Sequence, residues 1–122
     1  MAIGKEIGEF SLKTTSTTYA EERGSVQINC EGTATGYGTV LGTLTFRGET
    51  GAKLGDLSLR GQGFLEDGET LAATGEGTWE EIGKHQWRTR LIITNSNGEF
   101  HASDGHLDLA TRTLKGKILE WS

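Results

Sequence analysis

Apolar and polar residues alternate with a period of two through eight consecutive segments of the chain, nearly all of them regular and each bounded by glycine or another turn former. That period puts successive side chains on opposite faces of an extended strand. It predicts strands at about residues 6–18, 24–35, 39–47, 54–66, 69–80, 85–96, 99–109 and 113–121. No stretch carries the longer period of an amphipathic helix. Short connections favour sequential antiparallel neighbours, and evenly spaced strands of this kind predict an all-β fold, an eight-stranded antiparallel up-and-down β-barrel. Asp67-Gly68 and Asn97-Gly98 sit between alternating runs and predict type I′ hairpins, in which both central residues take positive φ. With 122 residues, residues 1–122 form a single β-barrel domain.

Parity assigns the two faces. Inward positions are Val26, Ile28 and Cys30; Val40, Leu44 and Phe46; Leu57, Leu59 and Leu65; Leu71, Ala73 and Trp79; His85, Trp87, Leu91 and Ile93; and Leu114, Ile118 and Glu120. The seventh segment breaks phase, since Phe100 and Ala102 have one parity and Leu107 and Leu109 the other. A bulge at Asp104-Gly105 would restore it. Many inward positions are glycine, including Gly42, Gly61, Gly63, Gly75, Gly77 and Gly116. Missing side chains leave room in a small barrel, unless the glycines let opposite walls close together.

Strand direction gathers Phe46, Trp79, His85 and Trp87 at one rim. Such a group can stack on a flat ligand, with His85 as its titratable contact, or can plug the barrel. Together with Cys30, Leu44, Leu59 and Leu91 these residues form the expected ligand-binding lining. At the other rim Glu120 faces inward near the Tyr37 turn, where desolvation would raise its pKa and suit it to base work, although a terminal glutamate more often reaches solvent. His85 and Glu120 are therefore the candidate catalytic groups. His101, Asp104, His106 and Asp108 suggest a metal site, but one twisted strand seldom converges three ligands, and the bulge would turn both histidines outward. No metal or cofactor is expected.

Composition narrows the partners. Seventeen acidic and twelve basic residues give a net charge of −5, a surface that repels a phosphate backbone and argues against nucleic acid. Outward charges on alternating strands argue against a membrane barrel. The lone Cys30 and the polar Met1–Glu6 stretch point to a reducing cytoplasm. Outward Leu119 and Trp121, with Ile7 beside them on closure, suggest a contact between copies of the chain.

The runs Gly32-Thr33-Ala34-Thr35-Gly36, Gly38-Thr39-Val40-Leu41-Gly42-Thr43 and Gly61-Gln62-Gly63-Phe64-Leu65-Glu66-Asp67-Gly68 resemble those of the small bacterial relatives of the allene oxide cyclase barrel. Gly75-Glu76-Gly77-Thr78-Trp79 and Gly105-His106-Leu107-Asp108-Leu109 are compatible with that family. The resemblance implies the same barrel and either binding of a small apolar molecule in the lumen or cyclisation or isomerisation of a flexible apolar substrate by shape. It transfers no catalytic residue by motif, and the absence of proline departs from the family's enzymes.

Overall fold

A computed structural model describes residues 3–21 and 24–121. Among them lie eight strands and no helix: β1 (Ile3–Tyr19), β2 (Ser25–Ala34), β3 (Gly38–Arg47), β4 (Leu54–Phe64), β5 (Thr70–Gly83), β6 (Gln86–Asn95), β7 (Phe100–Asp108) and β8 (Thr113–Trp121). Each strand pairs antiparallel with the next, and β1 pairs with β8, so the sheet closes into a barrel. The expected first connection includes Glu22 and Arg23, which lie outside the described residues.

The tight turns differ in type from the sequence expectation. Gly68 and Gly98 have φ of 92° and 89°, whereas Asp67 and Asn97 do not take positive φ. Gly68 N–H donates to the Leu65 carbonyl (3.0 Å) and Leu65 N–H to the Glu69 carbonyl (2.9 Å), and Asn95, Gly98 and Glu99 repeat the pattern. These are wider turns with a left-handed glycine at the bulge position. The aspartate and asparagine serve through their side chains, each accepting the N–H two residues on.

The expected bulge at Asp104-Gly105 is not present. β7 runs in unbroken register with β6 and β8 from His101 to Asp108. His101, Ser103, Gly105 and Leu107 consequently share the inward parity, and Phe100 and Ala102 turn outward. Phe100 is half exposed, whereas Ala102 is covered. Ala102 lies between Ile92 and Leu119 in the cross-strand ladder and is only 2% exposed, so apolar residues on the outer wall satisfy one another. Register shifts fall instead on β1, around Glu6–Gly8 and at Thr15, and on β5 at Ile82. The shift at Thr15 reverses β1's parity: Leu12 pairs with Gly32 and Thr14 with Cys30 before it, Thr17 with Ile28 and Tyr19 with Val26 after it.

Leu12, Cys30, Leu44, Leu57, Leu91, Ile93, Leu107 and Leu114 form one buried cluster across the barrel. Leu44 and Leu57 of this cluster, with Thr89 beside them in the barrel, are the largest fully buried side chains among the described residues. On the outer wall Arg88 grips Asp104 with two hydrogen bonds, Nε to Oδ1 at 2.9 Å and Nη2 to Oδ2 at 2.6 Å. Those bonds hold the Asp104 carboxyl below the usual carboxylate range. A lowered folded-state pKa adds stability above the ordinary value of about 3.9 and loses it as pH falls through the lowered value. Asp104→Asn should therefore destabilise the barrel at neutral pH by about 1 kcal/mol or less, given the pair's exposure. Urea unfolding should show the gap from wild type closing below pH of about 3.9; a gap independent of pH would assign the loss to something other than the ion pair.

Candidate functional site

The buried cluster divides the lumen into two unconnected compartments. At the end where β1, β3, β5 and β7 finish, an open-mouthed cavity of about 620 Å³ is lined by Val26, Ile28, Phe46, Trp79, Trp87 and Leu107, with Tyr19, Ala52 and Leu109 around the opening. At the other end a cavity of about 80 Å³ lies among Leu44, Leu59, Leu91, Ile93, Leu114 and Tyr37. Among the described residues, none lines both cavities.

The mouth is built on glycine at the point where its largest side chain lies. Trp79 is directly opposite Gly55 on β4, and a Cβ on Gly55 would come 2.7 Å from the indole nitrogen. The absent side chain lets the indole lie across the neighbouring strand. Its Nε1–H donates to the Arg47 carbonyl at 2.9 Å, and its ring meets Phe46 at a centroid distance of 6.3 Å and a 60° tilt. Bulk and a fixed hydrogen bond together hold one wall in place.

Around this opening the loops are tied by backbone hydrogen bonds. Thr14 N–H donates to Arg112 O (2.9 Å), Leu109 to His85 O (3.1 Å), Glu81 to Lys53 O (2.7 Å) and Gly48 to Gly24 O (2.9 Å). Each bond ties a loop or strand end to a neighbouring element, so backbone bonds share the ordering of the rim with the Trp79 side chain. Among the described residues the charged groups of the lining are Glu21, Glu49 and Arg112 in the connections and Asp108 at the end of β7, and the deeper wall is largely aliphatic and aromatic.

Phe46, Trp79 and Trp87 thus meet as the sequence predicts. His85 does not join them. It is an exposed turn residue with φ of 56°, placed before β6 begins at Gln86, and it contributes its carbonyl to the rim. Alternation fails as a guide there because the residue is outside the strand. Leu44, Leu59 and Leu91 face the small cavity instead of the mouth. Cys30 is buried in the packed layer, its Sγ 3.6 Å from the Gly42 carbonyl. Glu120 stands at the far rim opposite His101, half exposed and 3.8 Å from Lys5 Nζ. Neither candidate catalytic side chain lines the mouth.

The possible metal set is dispersed. Asp104 is engaged by Arg88, His106 Nε2 lies 2.9 Å from Gln86 Oε1, and Asp108 accepts from Ala110 N–H. No group of three metal-ligating side chains occurs among the described residues. His101 alone turns inward, where its Nδ1 is 2.8 Å from the Tyr37 hydroxyl and 3.3 Å from Asn95 Nδ2. This Tyr37–Asn95–His101 cluster escaped the sequence reading because the inferred bulge turned His101 outward. Unbroken alternation in β7, with Asn95 continuing the inward parity of Ile93, was the signal for it.

Burial raises the Cys30 thiol to about 11, so almost no nucleophilic thiolate exists at neutral pH. Native protein should therefore resist an aromatic disulfide reagent, and Cys30 should label at the rate of unfolding when urea is raised. Rapid stoichiometric labelling without denaturant would contradict the packed layer between the compartments. No family model, curated protein or solved structure matches this chain.

Proposed function

We propose that this barrel binds a small, predominantly apolar molecule, held between the Phe46, Trp79 and Trp87 rings and the aliphatic wall of the mouth. The observation that carries this reading is the cavity itself: about 620 Å³, open at one end, closed below by packed leucines and apolar along its deeper wall. Its volume suits a drug-sized molecule, and such sites combine an apolar lining with few polar groups. The backbone bonds between rim loops support the same reading, because a rim ordered in advance leaves little conformational entropy to lose on binding.

Cyclisation or isomerisation by an acid–base group is the weaker reading. Neither His85, in a rim turn, nor Glu120, at the far rim, puts its side chain in the lining of the mouth, and a general base must come within hydrogen-bond reach of the proton it takes. The function we assign is accordingly binding, with shape as the selective element.

N-phenylnaphthylamine, a neutral apolar fluorophore, provides a direct test. It should bind saturably and quench Trp79 and Trp87. Val26→Arg, which puts a charge on the mouth wall, should weaken binding at least about tenfold, equivalent to ~1.4 kcal/mol. Phe100→Ser on the outer wall should leave binding unchanged. Saturable binding that survives Val26→Arg and is lost with Phe100→Ser would move the site to the outer wall and overturn the proposal; an absence of saturable binding would overturn it as well.

A further inference from the structure

The end of the barrel opposite the mouth is covered by a side chain from a turn. Tyr37 lies between β2 and β3, flanked by Gly36 and Gly38 at φ of 81° and 73°, and its N–H donates to the Ala34 carbonyl at 3.0 Å. A tyrosine on a turn ordinarily reaches solvent, yet this one is 7% exposed. The turn folds back over β4 at Gly63, where a Cβ would stand 3.0 Å from that of Tyr37. Beneath the ring is the cavity of about 80 Å³, walled by Phe10, Val40, Leu59, Leu91 and Ile93, with Ser103 and Thr89 supplying hydroxyls.

Hydrogen bonds hold the ring in place. Asn95 Nδ2 donates to the Tyr37 oxygen (2.9 Å), and the Tyr37 hydroxyl is within hydrogen-bond distance of His101 Nδ1 (2.8 Å), donating to it when the ring proton is on Nε2. Asn95 is 3% exposed, and no described protein group bonds its Oδ1. Opening exchanges two hydrogen bonds for solvation of all three groups, and the glycines on either side supply backbone freedom for the movement.

We infer that this compartment is a second binding site, distinct from the mouth, for a compact uncharged apolar species of a few heavy atoms, and that Tyr37 is its lid. The volume sets the size class. It is about half that of the ~150 Å³ apolar cavity known to take benzene or xenon, so the site excludes the larger molecules suited to the mouth. The wall holds no charged side chain and is apolar apart from Tyr37, Gln62, Thr89 and Ser103, so dispersion contacts would favour an uncharged apolar guest.

Xenon is the appropriate probe, read through methyl resonances of the intact chain under increasing gas pressure. The methyls of Leu59, Leu91 and Ile93 should shift saturably, and those of exposed Leu41 should drift linearly. Ala73→Leu, which fills the cavity from β5, should abolish saturation at Leu59 and Leu91 while leaving N-phenylnaphthylamine binding at the mouth intact. If that variant fails to fold, Ala73→Val, a smaller intrusion, should weaken xenon binding in the same direction. Tyr37→Ala should speed xenon exchange about tenfold or more, as expected on removing two hydrogen bonds from the closed state. Linear shifts throughout, or saturation that survives filling of the cavity, would overturn the site; an unchanged exchange rate in Tyr37→Ala would overturn the lid.

Discussion

Closure through the β1–β8 pairing is the constraint on which the rest of this structure depends. A twisted sheet of eight strands that stops short of closure leaves two rows of unpaired backbone groups, and burying or shielding them would require other elements. Here β1 serves both neighbours, pairing with β2 along Phe10–Tyr19 and with β8 along Ile3–Lys13. Closure also gives a physical reason for a feature of the composition. A chain with 19 glycines and no proline has no edge strand on which a missing N–H would be tolerated, so proline would break a ladder almost anywhere in the sheet.

Once the barrel is closed, its strand number limits the interior, and side-chain size divides what remains. Glycines contribute in two opposite ways. Gly55 makes space that Trp79 occupies, and Gly105 faces the tip of Phe10, where a Cβ would come 2.9 Å from the ring; these glycines allow large residues to pack. In the middle, leucines from several strands meet and close the lumen. Counting absent side chains consequently overstates the continuous volume: the neighbour's size decides whether an inward glycine adds space or merely admits a ring.

Much of this was legible in the sequence because alternation is a local property that each strand expresses by itself. Strand order, closure, the meeting of Phe46, Trp79 and Trp87, and the inward direction of Leu44, Leu57 and Leu91 all follow from it. What it could not supply were the points where local continuity ends. His85 has the parity of Trp87 but lies one residue before the strand, so its backbone turns left-handed and its side chain stays in solvent. In β7 the assumption that every apolar residue seeks the lumen produced a bulge that the ladder does not contain. Phe100 and Ala102 share an outer wall with Ile92 and Leu119, and recognising that wall depends on register between three strands. The same error hid His101, whose contacts with Tyr37 and Asn95 join residues 64 and 6 positions away in sequence.

The two ends differ in how they are held, and that difference bears on what each can do. At the mouth, backbone bonds between loops share the ordering with the Trp79 side chain. The far end has backbone ties of the same kind, Thr35 N–H to Glu9 O and Ser96 N–H to Ala72 O, and adds a side-chain cluster, Tyr37 with Asn95 and His101. A preformed opening favours association without rearrangement, whereas a side-chain closure ties entry to a local opening equilibrium. One packed layer between them keeps the events separate: a molecule in the mouth presses on Leu107 and Ile28, and a molecule beneath Tyr37 presses on Leu59 and Ile93. Coupling between the ends would have to pass through Leu44 and Leu57, the largest fully buried aliphatic side chains among the described residues, and tight packing there leaves them little room for an alternative arrangement. On the proposed reading, the barrel would hold two molecules independently rather than signal from one end to the other.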